Sequence, residues 1–130
     1  MLLRVILGQP NALVEWQEVE SGVTSALVEV ECLRTLDRLK LKEGASDAEV
    51  AARCEAVYRL IDETHVIEVS RSVLERASRP LPTPLGTLDA IQLSSALLWR
   101  ERQEVDLVMA THDTALAVAS RACGLSVVGV

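Results

Sequence analysis

The chain has 130 residues, the size of one domain that buries a core of its own, and its 49% hydrophobic content excludes a disordered segment. A net charge of −6 and an isoelectric point near 4.9 exclude a simple electrostatic nucleic-acid binder, although a carboxylate-lined metal site is itself acidic. No apolar run reaches the roughly 18 residues a membrane span needs, and no secretory h-region with a small-residue cleavage site is present.

In chain order, the apolar run Leu2–Leu7 stops at Gly8-Gln9-Pro10. Asn11 then caps a short helix whose apolar positions are Leu13, Val14, Trp16 and Val19, and Ser21 and Gly22 break it. Val23-Thr24-Ser25 is too brief for a strand on pattern alone, but it precedes a long helix running to about Lys42. That helix carries Val28, Cys32, Leu33, Leu36 and Leu39 on one stripe. Arg34, Arg38, Lys40 and Lys42 thicken towards its end, as the helix dipole favours. Gly44 interrupts it, and Ser46-Asp47-Ala48-Glu49 reads as a capping box opening a helix to about Asp62.

His65–Val69 is rich in β-formers and is predicted as a strand. Ser72–Glu75 reads as a second capping box, for a helix ending near Arg79. Three prolines in Pro80–Gly86 require a loop. A helix then runs from Thr87, its predicted N-cap, to the charged residues Arg100–Glu104, with Leu88, Ile91, Ser95, Leu98 and Trp99 at helical spacing. Val105–Ala110 is short and apolar enough for a buried strand. Ala115–Ala122 is helical with Gly124 just past its end, and Leu125–Val130 is a last β-rich run. Strands alternating with helices imply an α/β domain over residues 1–130, with a mostly parallel sheet covered on both faces.

Within this order two acids stand out. Asp89 falls in the first turn of a helix, and Asp113 lies just past the C-terminal end of a strand, the edge where open α/β sheets bind ligands. Singly, each reads as an ordinary helix-start residue. As a pair they suggest a divalent cation, since hard cations take carboxylate oxygens. Cys32, Cys54 and Cys123 are odd in number and widely separated; they read as buried thiols of a reducing cytosol rather than a disulfide framework or a zinc site. Two Trp, one Tyr and no Phe leave few base-stacking platforms.

LDAIQLSSAL (Leu88–Leu97), followed by a strand ending in Thr111-His112-Asp113, resembles the C-terminal half of a PIN-domain ribonuclease of the VapC toxin type, whose usual forms are "LDALHLASAL" and "VTADRRL". The family also places a glutamate six residues after a serine at the start of its long helix. Ser25 leads here to Glu31, and Glu31-Cys32-Leu33-Arg34 is similar to the family's "E-L-L-R". Glu29 is the rival. A helical wheel does not decide between them, and motif spacing favours Glu31. Outside the family reading, Glu31 is a solvated glutamate paired with Arg34.

The family begins with a strand and an aspartate, "V-x-D-T-S-x-L", before a helix similar to Leu2–Pro10. This chain reads as starting inside that helix, without the first strand and first acid, and no Asp or Glu precedes Glu15. A start assigned too far downstream is the preferred reading, and a truncated, inactive copy the other.

The resemblance implies a three-layer α/β/α sandwich and a metal-dependent endoribonuclease of the cytoplasm, the toxin of a type II toxin–antitoxin pair. Glu31, Asp89 and Asp113 would be its catalytic acids and ligands of Mg²⁺ or Mn²⁺, with Thr111 and Ser25 in support. The same family pattern implies an antitoxin partner, an RNA substrate and a homodimer. An alternative from another class is an inactive PIN-like module that only binds a protein partner. A phosphate-receiver-like domain would need a phosphoacceptor Asp after a first strand and a late Lys, and neither is visible. His112 reads as a partly exposed loop residue and His65 as structural. Trp16 and Trp99 read as core or dimer anchors, and the scattered Arg34, Arg38, Arg71, Arg76 and Arg79 as solvated surface that would at most guide RNA.

Overall fold

A computed structural model describes residues 19–130. The expectations for Leu2–Leu7, the helix from Asn11, Trp16 and the absent first strand lie outside those residues. The described elements are β1 (Gly22–Ser25), α1 (Leu27–Glu43), α2 (Asp47–Asp62), β2 (Thr64–Ile67), α3 (Arg71–Ala77), α4 (Thr87–Gln103), β3 (Val108–Ala110), α5 (Thr114–Ala122) and β4 (Ser126–Val128). The α/β class and the parallel strands expected from the alternation are both present.

The sheet is not continuous among the described residues. β1 pairs with β2 and β3 with β4, each pair parallel, as two separate two-stranded sheets. Parallel neighbours need a crossover; α1 and α2 provide it in the first pair, α5 in the second. Each sheet has its own core. Val28, Cys32, Leu36 and Val57 form the first, with Leu33, Leu39, Cys54 and Ile61 against it. Leu93, Leu97, Leu116, Ala119 and Leu125 form the second, with Leu85, Ala96, Leu107, Met109 and Cys123 against it. Helix α4 joins the two halves, packing against β1, α3 and α5.

The local start and stop signals act as read in the first half. Ser46 accepts from the Glu49 N–H, and the Glu49 carboxylate accepts from the Ser46 N–H, a complete capping box. Gly44 ends α1 at φ 63°, where glycine has no Cβ to clash, and its N–H donates to the Lys40 carbonyl. Two predicted starts are corrected. The N-cap of α3 is Ser70, whose Oγ accepts from the Val73 N–H, so the expected box at Ser72–Glu75 lies inside the helix. The N-cap of α4 is Gly86, and Thr87 is the first helical residue without a side-chain cap bond.

The predicted strand Val105–Ala110 is three residues shorter at its start. Its partner β4 has only three residues, and Val105 and Asp106 are left exposed. Leu88 is 51% exposed although it falls on the predicted apolar stripe of α4. The buried positions of that helix are Ala90, Ile91, Leu93, Ser94, Ser95 and Leu97, too wide an arc for one stripe because neighbours cover it from several sides. At its far end Arg100 donates to the carbonyls of Cys123 and Gly124, placing a cation at the C-terminus of α5, as the helix dipole favours. Arg76 donates to Glu101 at 2.7 Å and ties α3 to α4.

Candidate metal and nucleic-acid site

Both two-stranded sheets end at the same cleft. Ser25, at the C-terminal end of β1, is 2% exposed and lines it, and Thr111, just past the end of β3, is 6% exposed and lines it too. The cleft has a volume of about 1080 Å³, and its walls include Glu31, Asp89, Gln92 and Asp113. Each hydroxyl has a local partner. Ser25 Oγ accepts from the Leu27 N–H at the start of α1, and Thr111 Oγ1 accepts from the Asp113 N–H. Both turns fix the direction in which the following helix departs, and so where Glu31 and Asp113 sit.

Glu31 stands one turn into α1, in the wall of the cleft, whereas Glu29 is exposed and outside it. A helical wheel sets Glu29 among Cys32, Leu33 and Leu36, yet Glu29 is exposed while Val28, Cys32 and Leu36 are the buried residues of α1. Nor does Glu31 pair with Arg34. Its carboxylate accepts from Gln92 Nε2 at 3.0 Å. Asp89 occupies the first turn of α4, partly buried, where the free N–H groups favour an anion. Asp113 is the N-cap of α5, with Oδ1 accepting from the Leu116 N–H at 2.8 Å. It therefore does what an ordinary cap does while its second oxygen makes no hydrogen bond among the described residues.

The electrostatics tie the three acids together. Burial pushes the Glu31 carboxyl above its ordinary value of 4.5; the Gln92 hydrogen bond opposes the rise and the charge of Asp89 adds to it. Burial likewise raises Asp89 above 3.8, and the charge of Asp113 raises it further. Such carboxylates sense one another, and a cation between them relieves the repulsion. The donor set is all hard oxygen, the kind that suits Mg²⁺ or Mn²⁺. Among the described residues, however, no three of His, Cys, Asp and Glu lie close enough together to hold a metal ion. The acids suit the cation in kind and share one cleft, with no ready-made cage.

The remaining expectations divide. His112 lines the cleft, half-buried, and its Nδ1 is bonded to the Gly129 carbonyl. His65 is exposed and stacks on half-buried Trp99, ring centroids 5.5 Å apart. Arg71 and Arg76 pair with Glu75 and Glu101, and Arg38 donates to Thr35, so these three arginines are occupied locally. The thiols of Cys32, Cys54 and Cys123 are free, and burial pushes Cys32 up. Gln92 escaped the sequence reading, although its place three residues after Asp89, one turn along the same helix face, was visible.

The family profile described as PIN domain matches residues 1–122. No curated protein matches the chain.

Proposed function

Because the chain belongs to the PIN-domain family, whose members are generally nucleases, we propose that it is a metal-dependent endoribonuclease of the VapC type, the toxin of a type II toxin–antitoxin pair. What supports this reading is that Glu31, Asp89 and Asp113, from three helices, line one cleft, where the charge of Asp89 adds to the rise of Glu31 and that of Asp113 to the rise of Asp89. Glu31, Asp89 and Asp113 would be the residues that hold Mg²⁺ or Mn²⁺ there, directly or through water, and the cation when bound would supply Lewis acidity towards an RNA phosphodiester. The chain's own residues supply placement. Thr111 fixes the turn that presents Asp113, Ser25 fixes the start of α1, and the first turn of α4 stabilises the Asp89 anion. Hydrolysis adds water across the P–O bond, and the cleft holds the strand against the acids.

On this reading the molecule is one cytoplasmic domain over residues 1–130 that works as a homodimer and is restrained by an antitoxin protein in the acidic cleft. Free cysteines suit a reducing compartment, and no helix of the described residues is long and apolar enough to cross a membrane. A second reading, an inactive module that binds only a protein partner, is favoured by one observation, the lack of a ready-made metal cage among the described residues.

Asp89→Asn separates the two. Asn keeps the size and serves well near a helix start, so the fold should lose at most about 1 kcal/mol. Mn²⁺ binding by calorimetry and Mn²⁺-dependent RNA cleavage should both disappear. Glu31→Gln should do the same, and Glu29→Gln should change neither. A parent chain that binds no Mn²⁺ or Mg²⁺ even at millimolar concentration favours the binding-only module.

A further inference from the structure

We propose that Gln92 is a positioning residue for the proposed metal site, holding one oxygen of the Glu31 carboxylate and leaving the other to face a cation; this deepens the reading above and rests on it for the cation. The two side chains are 61 residues apart in sequence and come from different helices, yet Gln92 Nε2 lies 3.0 Å from Glu31 Oε2 and both line the cleft. A carboxylate only accepts, so it is the NH₂ end of the amide that faces it. Glu31 Oε1 makes no hydrogen bond among the described residues, and no cationic side chain pairs with Glu31 there.

That choice of partner matters chemically. An arginine in the same place would orient the glutamate and also neutralise it, competing with a cation for the same charge. A neutral amide orients it and leaves the full negative charge in the cleft. Glutamate is a rotamer-rich side chain, costly to order, so a ligand held in advance binds a cation better than a freely rotating one. The arrangement is economical in sequence terms. Asp89 and Gln92 lie three residues apart on one helix face, so α4 contributes one acid and steers another that α1 contributes.

The test reads Glu31 directly, in metal-free protein, by side-chain NMR couplings, and then reads Mn²⁺ affinity by calorimetry. In the parent, Glu31 should hold a single rotamer. Gln92→Leu keeps the bulk without the donor and should leave Glu31 averaging among rotamers, with Mn²⁺ binding weakened about tenfold. Gln92→His restores an N–H donor and should recover the single rotamer and most of the affinity. Should the Leu variant fail to fold, Gln92→Ala carries the same expectation. A merely structural Gln92 would lower the melting temperature without moving Glu31. Averaging of Glu31 already in the parent, or a His variant no better than Leu, overturns the proposal. If Gln92 orders Glu31 but the parent binds no Mn²⁺, the positioning role stands and the metal-site reading of the preceding section falls.

Discussion

The two halves of the molecule are built alike and differ in what they bring to the cleft. Each has a two-stranded parallel sheet and a compact apolar core. The first half contributes a single acid, Glu31, one turn into a long helix. The second contributes two, Asp89 and Asp113, both at helix starts. A helix start stabilises an anion with its free N–H groups, whereas a position one turn further in receives less of that help. Glu31 accordingly depends on a side chain from the other half, Gln92. The difference shows that a site spanning two half-domains is no more rigid than the packing between them, which here runs through α4 against β1.

The largest effect should come from asking whether the halves unfold together. Leu36 in the first core and Leu93 in the second are 2% and 0% exposed. Truncating either to Ala removes the same atoms and leaves a cavity, for a loss of about 2–5 kcal/mol. With α4 packed on both sides, each variant should melt in one transition at a lower temperature, with amide protection falling in both halves by hydrogen exchange. Protection lost only around α1 and α2 in Leu36→Ala would split the molecule into independent units. It would also remove the basis for a shared site.

Helix starts give a smaller and more local contrast. Ser46→Ala breaks a complete capping box and should cost about 1 kcal/mol. Thr87→Ala should change stability by less than about 0.5 kcal/mol, because Gly86 is the cap and Thr87 makes no cap bond. Equal losses from the two variants, measured by urea titration, would mean that α4 depends on its first residue as α2 depends on its cap.

The same contrast marks what could be read from the sequence. The box at Ser46–Glu49, the stop at Gly44 and the glycine after α5 are local chemistry, written within a few residues, and the structure has them. The acids Asp89 and Asp113 stood out through their order and separation, and both line the cleft. Elsewhere the pattern was insufficient. Ser70 and Ser72 are equally good caps as residue types, and only the end of β2 at Ile67 settles which is used. In α4 the buried serines Ser94 and Ser95 look polar in a list of residues, while exposed Leu88 looks like core. The helix is covered from several directions, so its apolar period is blurred. Gln92 was silent because its partner is 61 residues away. A contact across that distance leaves no mark in either local pattern.

The smallest expected effect is a dependence on pH that separates the cleft from the rest of the surface. The folded-state values of Glu31 and Asp89 are raised above their ordinary 4.5 and 3.8, so the folded protein binds their protons more tightly than the unfolded chain does. Stability from these two groups therefore falls as pH rises from the ordinary value through the raised one, and is level above it. The exposed, paired acids Asp47, Glu49 and Glu101 are lowered. Theirs is the opposite sign, a contribution that is lost as pH falls. In the metal-free protein the two trends oppose each other, and solvent screening keeps both small. Subtraction isolates the cleft. The stability of Glu31→Gln minus that of the parent should be greatest above the window, where the parent carries the buried charge, and should shrink as pH falls through it. Saturating Mn²⁺ should reverse the gap at neutral pH, because the cation stabilises only a chain that keeps the carboxylate. A difference that is flat with pH in metal-free protein would place Glu31 in open solvent and detach the first half from the site.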